Sequence, residues 1–239
     1  MKLLLFLVLF LPLQNIAHAG WLDSLKSMIP SSMKQTSLSE TKIGKGLREA
    51  LSLGIDKAVA MASKEGGYLN NPAIKIKFPE NLSMVETGLR KIGMGSKIDA
   101  FEARVNKAAE QAAPEAKKVL LDALFEMSIE DAEKLLQGGD TAATDYFKSK
   151  TWDELHSAFR PKLQDAMSQN QASQMYNQVI AMYEKIPFAQ KPNLVSADDY
   201  ATNKALEGLF HLVGEQEKEI RNNPAARATQ LLKSVFGTN

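Results

Sequence analysis

Residues able to do chemistry are few in this chain, and the scarcest are histidine and cysteine. There are three histidines, His18, His156 and His211, and no cysteine. That removes most transition-metal chemistry, because zinc and its neighbours are held chiefly by imidazole and thiolate. No His-Glu-x-x-His and no histidine pair at ligand spacing occurs. One row stays open: Glu207, His211, Glu215 and Glu219, spaced by four, place oxygen and nitrogen donors on one helix face. The row lies opposite the apolar stripe Leu209, Leu212 and Val213, so a solvated charged face is the alternative. Neither metal nor cofactor is expected. The chain has no Gly-x-Ser-x-Gly elbow, and Gly44-Lys45-Gly46 and Gly93-Met94-Gly95 lack the pattern of a phosphate loop. Paired carboxylates occur throughout without a glycosidase signature, so no catalytic residue is assigned.

Two stretches look richer in polar groups than packing requires. Asn106-Lys107-Ala108-Ala109-Glu110 sets an amide and a carboxylate one helical turn apart beside an alanine face. Asp131-Ala132 and the run from Gly138-Gly139-Asp140 to Thr144-Asp145-Tyr146-Phe147 gather hydrogen-bonding groups between two short helices. Small residues there let backbones approach, and the polar groups beside them bond across helices or floor a pocket. Arg221 joins the set, because a guanidinium near a helix end can pair with a carboxylate or an anionic ligand. Asn106, Glu110, Asp131, Asp140, Thr144, Tyr146 and Arg221 are therefore the candidate ligand or partner site. Capping and internal hydrogen bonding are the competing explanation.

The elements that must position these groups are helical. Over about residues 39–63, Ile43, Leu47, Leu51, Ile55 and Val59 form a large apolar ridge at spacing four. Beside it runs a small one, Gly46, Ala50, Gly54, Ala58 and Ala62; such rows suit close helix packing. Ile74-Lys75-Ile76-Lys77-Phe78 is the one strand-like segment, and a lone strand lacks a partner for its ladder groups. It reads as an extended strap on the helices, with edge pairing to a second copy as the alternative. From residue 82 the pattern predicts a short helix stopped at Gly93, then a helix capped by Ser96. Pro114 should open another, buried on most sides. Beyond it, Ser128 and Asp140 are expected to cap two further helices, and Thr151-Trp152-Asp153-Glu154 to form a capping box. Pro161 is expected to break or kink the helical run that begins at this box, with a new helix from there to about Ser168. Helices are predicted over about residues 171–186 and 198–221, the latter with Ala205, Leu209, Leu212, Val213, Gln216 and Ile220 inward. A last helix starts at Asn223-Pro224. The expectation is an all-α, single compact multi-helix domain of about nine or ten helices, with one short extended segment near residues 73–78.

The compartment is read from the first residues. Lys2, the apolar run from Leu3 to Leu13 and Ala17-His18-Ala19 form a secretory signal, with cleavage expected between Ala19 and Gly20. The run is too short to span a bilayer, which needs about 20 apolar residues. The predicted organisation is a signal peptide over 1–19, a flexible tether over 20–37 and the helical domain over 38–239. Weak peripheral membrane contact through residues 20–30 is the most membrane association expected. Lys+Arg number 29 against 28 Asp+Glu, and removing Lys2 with the signal leaves 28 against 28. This balance, without a basic stripe, argues against nucleic acid.

The polar stretches also carry a resemblance. Asn106-Lys107-Ala108-Ala109-Glu110, Met127-Ser128-Ile129-Glu130-Asp131-Ala132, the run over residues 138–147 and Glu219-Ile220-Arg221-Asn222-Asn223-Pro224 resemble an exported bacterial family known only as domain-of-unknown-function family 4197. Gly46-Leu47-Arg48-Glu49-Ala50-Leu51 and Gly208-Leu209-Phe210 fit it too, and the likeness runs from about residue 38 onward. It implies a helical periplasmic or envelope-associated protein and supplies no catalytic residues. Some relatives are lipoproteins, but without cysteine this chain cannot take that anchor. The expected function is a non-enzymatic module binding a small-molecule ligand or an envelope protein. The alternatives are a hydrolase of envelope material using Asp/Glu acid–base chemistry, and a self-assembling structural protein.

Overall fold

The computed structural model describes residues 31–187 and 194–222, with side chains from residue 44 on. Its contacts group Thr41–Asn239 as one compact unit; of the other, Met1–Glu40, only residues 31–40 are described, and they are helical. The expected signal peptide, most of the expected tether and the last predicted helix lie outside the described residues, as do residues 188–193.

The fold is all-α. In chain order the helices are α1 (Ser31–Ser63), α2 (Ser83–Lys91), α3 (Gly95–Ala112), α4 (Ala116–Glu126), α5 (Ile129–Gln137), α6 (Ala142–Gln169), α7 (Ala172–Glu184) and α8 (Ala197–Asn222). Two single 3-10 turns, Glu80–Leu82 and Ala113–Glu115, precede α2 and α4. The long helices α3, α6 and α8 pack on one another, and one continuous apolar core joins them to the rest. Both ridges of α1 are buried from residue 44 on, and its small row does what its spacing suggests. A Cβ on Gly54 would stand 3.4 Å from Ile220 Cδ1 and 3.5 Å from Gln216 Cβ, so α8 lies close against this row.

Several boundaries differ from those the sequence predicts. Helix α1 starts at Ser31, about eight residues early, since residues 31–38 contain no glycine or proline to interrupt it even where apolar periodicity is absent. Ser96 caps nothing: α3 begins at Gly95 after Met94, with no side-chain cap. The capping box expected at Thr151 lies inside one helix of 28 residues. There the Thr151 hydroxyl donates to Phe147 O at 2.7 Å, a bond back to the preceding turn that needs no helix start. Pro161 sits within that helix without ending it, because the apolar face Leu155, Phe159 and Leu163 is fully buried on both sides of the proline and keeps the register. Helix α4 is one-faced: Leu120 and Leu124 are buried while Phe125 is 65 % exposed.

The segment over residues 64–79 is an irregular strap with no strand among the described residues. Gly67 starts it by folding back over the end of α1, where a Cβ would lie 2.4 Å from Met61 O. Ile74, Ile76 and Phe78 point into the core while Lys75 and Lys77 point away from it. Phe78 meets Phe101 of α3 edge-on at 5.6 Å and Tyr176 of α7 at 6.2 Å.

Candidate functional site

The strap is held by side chains where a second strand would otherwise be needed. On α3, Glu102, Asn106 and Glu110 recur every four residues along one face. Glu102 Oε1 accepts from Phe78 N at 3.0 Å. Asn106 Oδ1 accepts from Ile76 N at 2.8 Å, and its Nδ2 donates to Ile76 O and Glu102 O, both at 2.7 Å. Glu110 Oε1 accepts from Tyr68 N and Leu69 N at 3.2 and 3.3 Å. The match is geometric. Four helical residues rise about 6 Å, and two extended residues about 6.6 Å. Side chains at i and i+4 of a helix therefore meet alternate backbone groups of an extended chain. Lys75 closes the row with a 2.8 Å ion pair to Glu102 Oε2.

From the other side α8 clamps the strap. Tyr68 is fully buried, with its hydroxyl donating to Ala205 O at 2.7 Å. Burial first, and then the charge of Glu110, raises its phenol pKa well above the usual range. Gly208 makes room, since a Cβ there would approach Tyr68 Cε1 to 2.9 Å and Ile74 Cβ to 3.0 Å. Tyr200 adds a hydroxyl bond to Lys77 O at 3.1 Å. Burial also lifts its pKa to about 12, helped by nearby Glu80, Glu102 and Glu207.

Glu110 has a second oxygen. Its Oε2 makes no hydrogen bond among the described residues, although the residue is only 8 % exposed. Glu110 lines a cleft of about 600 Å³ beneath the turn from α1 into the strap, with Ser63, Glu65, Asn70, Lys107 and Gln111 around it. The cleft thus has a carboxylate floor fixed by two backbone donors, surrounded by amide and hydroxyl groups, one ammonium and the second carboxylate of Glu65.

The remaining predicted residues fall elsewhere, in two groups. Thr144 and Arg221 meet at Glu217 of α8, which is 3 % exposed. Glu217 accepts from Ala143 N at 3.0 Å and from both Thr144 N and Thr144 Oγ1 at 2.8 Å, closing the open start of α6. Arg221 donates to Glu217 Oε1 through Nε and Nη2, and Nη2 also reaches Leu135 O at 2.7 Å at the end of α5. A carboxylate thus sits at one helix N-terminus and a guanidinium at another's C-terminus, each complementing the helix dipole. Asp140, expected to cap α6, is exposed in the turn before it; Thr141 occupies the cap position, but its hydroxyl donates to Asp145 Oδ2 at 3.3 Å and caps no backbone N–H. Capping comes instead from Glu217, 74 residues away in sequence.

Asp131 and Tyr146 form the last group. Ser128 caps α5 as predicted, and Asp131 completes the capping box. The Ser128 hydroxyl holds the Asp131 carboxyl below its usual pKa, with smaller help from the Ser128 backbone and Tyr146. The Tyr146 hydroxyl lies 3.4 Å from Asp131 Oδ2. Both line a second cleft, of about 540 Å³, with Asp122, Glu126, Lys150 and Glu154. The structure therefore distributes six of the seven residues over three places and leaves Asp140 alone in its turn: Asn106 and Glu110 lie under the strap, Asp131 and Tyr146 in the acidic cleft, and Thr144 with Arg221 at Glu217.

Glu102 and Glu217 are the residues that sequence reasoning missed. A signal existed for each. Glu217 stands in the inward series Leu206, Phe210, Val213, Glu217 and Ile220, and a carboxylate in an apolar stripe announces a buried partner. Glu102 neighbours Phe101 and Val105 in the same way.

Among the described residues no group of His, Asp and Glu is arranged to hold a metal. His211 and Glu215 pair at 3.3 Å on an exposed face. No helix of the described residues is long and apolar enough to cross a membrane. No curated protein and no solved structure matches the chain. A family model, described as a protein of unknown function (DUF4197), matches residues 37–237. That span takes in the strap, both clefts and the Glu217 clamp, and by it the chain belongs to the DUF4197 family.

Proposed function

We propose that this is an exported, periplasmic protein that works by binding rather than by catalysis. Its site is the cleft floored by Glu110, and its ligand a small molecule bearing an ammonium group and hydroxyl or carboxyl oxygens. The observation that carries the reading is the division of labour within one carboxylate. Oε1 is committed to the strap, which leaves Oε2 to serve the cleft that Glu110 lines, and the volume of that cleft is within the usual range for small-ligand sites. A ligand ammonium would bond Oε2, and Lys107, Asn70 and Gln111 would serve its oxygens. The export part rests on the leader pattern in residues 1–19.

Acid–base hydrolysis has less support. Glu102 and Glu217 are tied up by backbone donors and cations. Asp131 lies in a cleft but is shifted the wrong way for a general acid at neutral pH. Self-assembly by edge pairing has less still, because Ile76 N and O and Phe78 N are already bonded to α3. A second reading is favoured by the acidic cleft: Asp122, Glu126 and Glu154 beside an exposed Phe125 suit a basic segment of an envelope protein.

The test is thermal melting of the protein with a panel of amino sugars, amino acids and peptidoglycan fragments. A ligand at 100 times its Kd adds about 2.7 kcal/mol and raises the melting temperature. Glu110→Gln keeps an oxygen for Tyr68 N and Leu69 N but replaces the free oxygen by a donor. Stabilisation by an ammonium compound that Glu110→Gln abolishes supports the reading. Stabilisation that survives in Glu110→Gln, or a blank across the panel, contradicts it.

A further inference from the structure

The turn between α2 and α3 presents apolar side chains to solvent. Among the described residues seven large hydrophobic side chains are exposed, and three of them gather here: Met84 at 54 %, Ile92 at 52 % and Met94 at 40 %. Gly93, at φ +80°, turns the chain at the tip, and the place of its absent Cβ has no neighbour within 4 Å, so the tip projects. Behind it, Met84 and Ile92 line a groove of about 500 Å³ together with Gly88, Tyr183 and Ile186.

Charge decides what suits such a surface. Lys91 and Lys97 flank the tip, are exposed, and have no ion-pair partner among the described residues. The neighbouring acids do have one: Glu86 and Asp99 both bond Arg90, at 2.8 and 2.9 Å. Arg90 brings one charge to their two, so over residues 86–99 three cations stand against two carboxylates, a net charge of +1. What remains is a projecting apolar tip between two exposed ammonium groups that hold no ion pair among the described residues, on a stretch of net positive charge.

We infer that residues 84–97 are a membrane-docking surface that rests on the anionic headgroups of a lipid bilayer. Ile92, Met94 and Met84 enter the boundary between headgroups and acyl chains. Lys91 and Lys97 lay their methylene stems along that boundary and keep their ammonium groups at the phosphates. Methionine and isoleucine fit a fluid, unshaped partner because they need no directional contact. At about 1 kcal/mol per basic side chain near an anionic surface, the two lysines account for roughly thirtyfold in partition. The inference is independent of the Glu110 cleft.

The absence of cysteine makes the test clean. The chain from Gly20 on, carrying Met94→Cys, is labelled with an environment-sensitive fluorophore and mixed with vesicles of zwitterionic lipid, with or without phosphatidylglycerol. Ser157→Cys on the exposed side of α6 is the control. The expected result is a blue shift and protection from an aqueous quencher at position 94 on anionic vesicles only, and no change at 157. Lys91→Gln with Lys97→Gln should lower that partition by roughly thirtyfold, and raised salt should do the same. The melting temperature should stay unchanged, since these side chains are exposed. A label at 94 that stays quenchable while protein sediments with vesicles would put the contact elsewhere and overturn the inference. So would equal binding to zwitterionic vesicles, or a dimer abolished by Ile92→Ser in the absence of any lipid binding.

Discussion

Replacing Asn106 by alanine removes the central rung between α3 and the strap. Asn106 is fully buried and makes three hydrogen bonds. The bond to Glu102 O matters least, because a helix carbonyl keeps its backbone donor. The loss falls on Ile76, whose N–H and C=O are both left buried without a partner. Each such group costs about 1–3 kcal/mol, so the substitution should destabilise the protein by about 2–6 kcal/mol, a large share of the roughly 5–15 kcal/mol typical of a domain. Equilibrium urea unfolding measures it: at about 2–3 kcal/mol per molar, a loss of about 3 kcal/mol lowers the midpoint by about 1–1.5 M. Hydrogen exchange should locate it, with the Ile76 amide losing protection first. Asn106→Asp should be at least as damaging, because it turns an acceptor toward two carbonyls that now meet a donor. If Asn106→Ala changed stability by less than about 0.5 kcal/mol, the size of an ordinary surface substitution, the rung would not bear on folding and the reasoning would fail.

Other consequences can be measured on the same protein. Glu217→Ala strips the start of α6 and leaves Arg221 without its main partner, so a loss of about 3–5 kcal/mol is expected in chemical denaturation, with Glu217→Gln milder. Gly208→Ala drives a methyl into Tyr68 and Ile74 and should destabilise by about 1–3 kcal/mol despite better helix propensity. Gly54→Ala meets only ordinary contacts and should stabilise by up to about 1 kcal/mol. Acid and alkali act through opposite shifts. Asp131 is held below its usual 3.8, so its contribution is present above that pH and fades as pH falls through the lower native value. Tyr68 is raised above its usual 10.0, so its contribution holds below pH 10 and is lost as pH climbs toward the native value. A tyrosinate absorbance titration should show Tyr68 ionising only as the fold is lost.

How far the fold could be read from sequence differs between elements. The ridges of α1, the Ser128 cap and the inward face of α8 follow from spacing and local chemistry, and each stands where expected. The failures at Asp140, Thr151 and Pro161 share one cause. Each residue type signals a helix boundary locally, yet a remote partner or a buried face overrides the signal: Glu217 caps α6, and the core around Leu155, Phe159 and Leu163 carries the helix past its proline. The polar candidates were legible as unusual, not by role. Sequence placed Asn106 and Glu110 one turn apart, but their partners are backbone atoms 30 and 42 residues away, and backbone leaves no trace in composition.

The central claim is that Glu110 splits its two oxygens between fold and ligand. The most direct measurement is an amide spectrum of wild type and Glu110→Gln, titrated with glucosamine as an ammonium probe. Before any addition the Tyr68 and Leu69 amides of both proteins should keep the downfield, exchange-protected signature of hydrogen-bonded groups, since either side chain offers an oxygen. On titration, the amides of Tyr68, Leu69 and Asn70 should shift in a saturable way in wild type and stand still in Glu110→Gln. Loss of protection at Tyr68 and Leu69 in Glu110→Gln would show that the whole carboxylate serves the strap. Shifts equal in the two proteins, or none in wild type, would remove Glu110 from any binding site.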